Sequence, residues 1–210
     1  MWGIRTVALI LMAAVATGVA APAAAQLPAP DGLTLWAVSV EVTGLDATDT
    51  ATIRVLWTEF ASGIPAHSAC LLASPPRIVA KTDMAPRAAY APKSATLLVK
   101  PGDVSRLVVF HELAHHLDFT CGAADSIGDD VRRVQGIDSS KAWWLEGDPV
   151  TWPAEYFANA VAIALGEQSN HDVHPDTVEV VARWLGYTEP EPIVTPVILD
   201  NPNSQVPALI

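Results

Sequence analysis

Apolar and polar residues follow different periods along the chain, and the changes of period mark its elements. Residues 33–42 are rich in Val, Leu and Thr and run into Thr43-Gly44, which predicts a strand. Asp46 to Phe60 predicts a helix, capped by Asp49 or Thr50 and stopped by Ser62-Gly63, with β-branched Thr52-Ile53 and Val55 working against it. Short apolar runs at Ala69–Ala73, Arg77–Ala80 and Ala95–Val99, set between Pro-containing turns, predict short strands that include a sheet edge.

Helical periods take over next. From Val104 to Thr120, Leu107, Phe110, Ala114 and Leu117 recur at spacings of 3, 4 and 3, with Asp103 as the expected cap and Cys121-Gly122 as the stop. The polar stretch from Ala123 to Pro149 predicts a long connection with one helical piece near Ser140–Glu146. Pro153 suits the first turn of a helix running to Leu165 and ending at Gly166. A last helix is predicted from Pro175 to a stop at Gly186, and residues 188–210, with five prolines, predict an extended tail. Together these elements predict an α+β fold. A small mixed or antiparallel sheet packs on the helix over 104–120, beside a second, buried helix over 153–165.

Chemistry enters with His111-Glu112-Leu113-Ala114-His115. Positions i and i+4 of a helix share a face, so two imidazoles can reach one ion, while Glu112 is rotated aside to take a proton from a water beside it. The histidines lie on the stripe Val104, Val108, His111, His115, Asp118, at the edge of the apolar face. Catalytic zinc generally takes three protein ligands, so a third is needed. The helix from Pro153 is apolar nearly all round and is broken by Glu155 and Asn159, four residues apart. A cation nearby removes the cost of burying a carboxylate, which makes Glu155 the third ligand. Asn159 then orients a ligand by hydrogen bonding. The bland alternatives are core-edge histidines and a first-turn acid at Glu155, favoured by the helix dipole.

His111-Glu112-x-x-His115, followed forty residues later by Glu155 on a second helix, resembles the gluzincin pattern of zinc metallopeptidases. The words His-Glu-Leu-Ala-His-His-Leu-Asp and Glu-Tyr-Phe-Ala-Asn-Ala are most similar to the lethal-factor-type toxin peptidases and related secreted bacterial enzymes. The resemblance spans about residues 95–166. It implies a zincin-like fold, Zn2+ held by His111, His115 and Glu155, and Glu112 as general base. The metzincin extension is absent, since Asp118 stands where that pattern has Gly, and no Tyr or His matches the family's oxyanion-stabilising residue.

Other residues carry weaker signals. Asp118 is read as a partner for a ligand imidazole, a fourth ligand or an exposed carboxylate. His116 points away from the His111/His115 face and is read as structural or solvated. His67, His174, Tyr90 and Tyr156 are the remaining electrophile candidates. Trp143, Trp144 and Trp152 wall a pocket or fill the core, and Asp125, Asp129 and Asp130 form a solvated surface.

Composition narrows the setting. The chain has 210 residues, half of them hydrophobic, which excludes a disordered chain. A net charge of -11 argues against nucleic acid and anionic membranes as partners. Met1–Ala25 reads as a secretory signal: Arg5, an apolar stretch from Val7 to Val15, and Ala23-Ala24-Ala25 placing the cut before Gln26. An uncleaved anchor is the alternative. The division is therefore 1–25 signal peptide, 26–187 domain and 188–210 tail, in a secreted protein without membrane attachment after cleavage. An oxidising compartment favours a disulfide between Cys70 and Cys121, the only two cysteines.

The expected activity is zinc-dependent hydrolysis of a peptide or protein substrate, with the strand near Ala95–Lys100 as the edge that pairs with an extended peptide. A zinc-holding module without turnover, and a secreted structural domain with a fortuitous motif, are the competing readings.

Overall fold

The computed structural model of the protein describes residues 40–144, 152–169 and 172–187. The signal peptide expected over 1–25, most of the strand expected over 33–42 and the tail over 188–210 lie outside these residues. The described chain is mixed α+β, with six helices and one small sheet.

The strands are β1 (Glu41–Thr43), β2 (Arg77–Ala80), β3 (Ala88–Ala91) and β4 (Thr96–Val99). Their order is β1-β2-β4-β3, with β1–β2 and β2–β4 parallel and β3–β4 antiparallel. This corrects the expected edge: β4, the strand read at Ala95–Lys100, is interior, and β3 forms the border beside it. β3 reads Ala-Ala-Tyr-Ala and lacks the β-branched residues that mark a strand, so its pairing rests on register with β4, Tyr90 opposite Leu97.

Helix α1 (Ala47–Ser62) is capped by Asp46, whose side chain accepts the Asp49 N–H at 2.8 Å. Asp46 lies in extended backbone and is the cap, which corrects the reading of Asp49 or Thr50; Asp49 sits inside the first turn. Burial of Ile53, Leu56, Trp57 and Phe60 on one face outweighs the poor propensity of the β-branched residues. Residues 69–73 also depart from expectation: they belong to a short helix, α2 (Ser68–Ala73), because Ser-Ala-Cys-Leu-Leu-Ala holds no β-branched or aromatic residue.

Helix α3 (Arg106–Cys121) starts from Ser105, not Asp103, with Ser105 Oγ accepting the Val108 N–H. It stops as expected at Gly122, whose φ of 72° is the left-handed conformation that glycine reaches without strain. Helix α4 (Ala123–Gln135) occupies the stretch read as a connection. Its apolar stripe of Ile127, Val131 and Val134 is diluted by four charged residues that pair along its surface, Asp129 with Arg132 and Asp130 with Arg133. The piece expected over 140–146 is not helical across its described residues, 140–144. Helices α5 (Pro153–Ala164) and α6 (Pro175–Trp184) fall where the sequence puts them.

Helix α3 packs chiefly on α5, and α5 on α6. Alanines at 154, 158, 160 and 162 of α5 are buried and allow close approach. Phe60 meets Phe110 edge-on at 5.4 Å, and Phe157 meets Trp184 at 5.6 Å, so aromatic pairs tie α1 to α3 and α5 to α6. A Cys70–Cys121 disulfide joins α2 to the last residue of α3.

Candidate metal centre

Helix α3 carries His111 and His115 on adjacent turns, and α5 presents Glu155 from its own first turn. Their donor atoms converge. His111 Nε2 is 3.1 Å from Glu155 Oε2, His115 Nε2 is 3.3 Å from Glu155 Oε1, and the two Nε2 atoms are 3.2 Å apart. Donors held at about 2.0–2.1 Å from a tetrahedral ion stand about 3.3 Å from one another. Two imidazoles and one carboxylate at this spacing could therefore hold a metal ion.

The surroundings orient these donors. His111 Nδ1 donates to Asn159 Oδ1 at 3.3 Å, so that Nε2, which faces Glu155, is the ring nitrogen an ion would take in place of a proton. The Asn159 amide is itself set by donating Nδ2 to the Glu155 carbonyl at 2.8 Å, and Ser169 donates to Oδ1 at 3.1 Å. His115 Nδ1 is buried and has no hydrogen-bond partner among the described residues.

Burial and charge set the proton affinities. Burial pushes Glu155 up, but hydrogen bonds from His111 and His115 outweigh it and bring its pKa down to about 2. Burial pulls His111 down, and its bond to Glu155 with the charge of Glu112 carries it above the ordinary imidazole value. Glu112 is raised by burial against the pull of His115 and His111. Glu112 is 9% exposed and borders two recesses of the same cleft. One, about 350 Å3, lies among Ala88, Ala89, Tyr90, Trp144 and Trp152; the other, about 260 Å3, lies among Arg87, Leu107, Val108 and Ser169.

The weaker candidates separate clearly. Asp118 takes none of its three expected roles. It is 3% exposed, its Oδ2 accepts Trp143 Nε1 at 2.6 Å and Trp144 Nε1 at 3.0 Å, and its Oδ1 accepts the Ala124 N–H. His116 is structural: Nε2 donates to the Ser74 carbonyl at 2.8 Å, and Nδ1 meets the Tyr90 hydroxyl at 3.0 Å. His67 stacks on Trp184 and binds its carbonyl through Nε2, and His174 caps α6. Tyr156 is half-buried on α5. Trp143 is in the core, whereas Trp144 and Trp152 line the cleft. Asp129 and Asp130 are exposed. His67, Cys70 and Cys121 also cluster, but the two sulfurs are joined to each other.

Two features of the site escaped the sequence reading. Strand β3 has no strand signature, and the link from Asp118 to the tryptophans spans 25 residues without a local motif. Comparison with protein-family models, with curated proteins and with solved structures gave no match.

Proposed function

We propose that the protein is a secreted zinc-dependent peptidase of the gluzincin type, with a zincin-like fold, in which His111, His115 and Glu155 hold Zn2+ and Glu112 is the general base. The observation that carries this reading is the triangle of Nε2 and carboxylate oxygens at 3.1–3.3 Å, with the Glu112 carboxyl on the cleft side of it. Zinc, when bound, supplies a water of lowered pKa and polarises the scissile carbonyl. Glu112 accepts the proton of the attacking water and delivers it to the leaving amine. Asn159 holds the His111 ring in the ligating tautomer.

The peptide partner would run along β3, the outer strand bordering the cleft, by adding one more strand to the sheet. The Cys70–Cys121 disulfide supports an oxidising compartment, in keeping with export and a cut before Gln26.

A zinc-holding module without turnover is the second reading, and one observation favours it. Tyr90, His67 and His174, three of the four electrophile candidates, are bonded elsewhere. Metal analysis of the purified protein with hydrolysis of an unstructured protein substrate separates the readings. One zinc per chain with cleavage supports the peptidase, zinc without cleavage supports the module, and no metal removes both.

A further inference from the structure

The larger of the two recesses has a wall whose rigidity the metal chemistry does not require. Trp144 is pinned through its indole N–H to Asp118 Oδ2, the oxygen that also binds Trp143. Trp143 in turn packs on Phe157 at 6.0 Å in the core. The wall is thus fastened to the interior through one buried carboxylate. Trp152 stands at 5.9 Å from Trp144 in an edge-to-face pair, and Trp144 lies 4.8 Å from the His115 ring. On the opposite side, Ala88 and Ala89 of β3 bring only methyl groups, so the space between strand and indoles stays open.

We infer that this recess is a subsite for an aromatic side chain of the substrate next to the scissile bond, with Asp118 as the positioning residue for its indole wall; the inference rests on the peptidase reading. The titratable side chains that line the recess are His111, Glu112, His115, Glu155 and Tyr90. The first four are taken up by the ion and by proton transfer, and Tyr90 is bonded to His116. A charged substrate side chain would therefore be desolvated without a partner, whereas a ring buries apolar area against two indoles. The smaller recess differs, with Arg87 at its rim and aliphatic Leu107 and Val108.

The test uses zinc-loaded Glu112→Gln protein, which can bind peptides without turning them over, together with the wild type. Alanine-based hexapeptides carrying a single Phe, Asp or Lys are titrated calorimetrically into the variant and offered to the wild type for cleavage. Phe should bind on the order of 10–100-fold more tightly than Ala at one position, and Asp and Lys no better than Ala. Trp152→Ala should reduce that preference to less than about threefold with zinc content retained, and Trp152→Phe should restore part of it. In the otherwise wild-type enzyme, Asp118→Asn should raise KM for the Phe peptide more than it lowers kcat. Equal affinity for Phe and Ala peptides, or a preference that survives Trp152→Ala, overturns the subsite. Aromatic-selective binding without cleavage keeps the subsite and removes the peptidase, while cleavage without aromatic preference does the reverse.

Discussion

Tyr90 donates its hydroxyl hydrogen to Nδ1 of His116 at 3.0 Å, tying the edge strand β3 to the face of α3 that looks away from His111 and His115. The direction follows from the other nitrogen, because Nε2 faces the Ser74 carbonyl and must carry the proton. The bond requires a neutral ring. Burial lowers the His116 pKa below its ordinary 6.5, and the bond to Ser74 offsets this only in part; His67 is lowered by burial in the same way.

Acid should therefore weaken the fold through these two rings. As pH falls through 6.5, the unfolded chain takes up protons that the folded rings refuse, so stability is lost until the folded pKa is passed. Urea midpoints of wild type, His116→Gln and His67→Gln should be compared between pH 7.5 and 5. Each variant should show a smaller acid loss than the wild type, and identical slopes would contradict the assignment.

Glu112→Gln keeps the shape of the side chain and removes its basicity. Hydrolysis should fall by about 100- to 10,000-fold, while zinc stays at one equivalent per chain. Steady-state rates paired with metal analysis check this. Unchanged activity would exclude Glu112 as the base.

Asn159→Ala removes the acceptor of His111 Nδ1, and a bond to the Glu155 backbone carbonyl, while keeping the side chains of all three proposed ligands. Zinc affinity should drop by about 10- to 100-fold, measured by competition with a chromophoric chelator. An affinity equal to wild type would mean that the ring is oriented by packing alone.

The double variant Cys70→Ser, Cys121→Ser opens a covalent loop with a sequence separation of 51. On the chain-entropy model its loss costs about 4 kcal/mol of stability. Denaturant unfolding of the oxidised wild type and the variant gives the difference directly. A loss near zero would indicate residual structure in the unfolded chain.

The legible part of the fold was the part written in strong local signals. His111, His115 and Glu155 were readable because helix period fixes where an i+4 pair points, and because an acid in an otherwise apolar helix demands a partner. Pro153 and Pro175 marked the starts of α5 and α6, and Gly122 the end of α3. What escaped depends on partners distant in sequence. Strand β3 exists through its pairing with β4, and α4 through burial of a stripe thinned by charges. Asp46 and Ser105 prevailed over Asp49 and Asp103 as caps because the helix start depends on which residue the packed backbone leaves extended. The spacing of Asp118 leaves three roles open, a partner to a ligand imidazole, a fourth ligand or an exposed carboxylate, and only the fold brings Trp143 and Trp144 to it.

The disulfide encloses residues 70–121, and an ion held by Glu155 would close a second ring from 111 to 155. The two rings overlap only from His111 to Cys121, so with an ion bound about two thirds of α3 would be cross-linked twice, once by sulfur and once by coordination. Its backbone amides should consequently be the slowest in the molecule to exchange with deuterated solvent, and neither a chelator nor a thiol alone should release them fully.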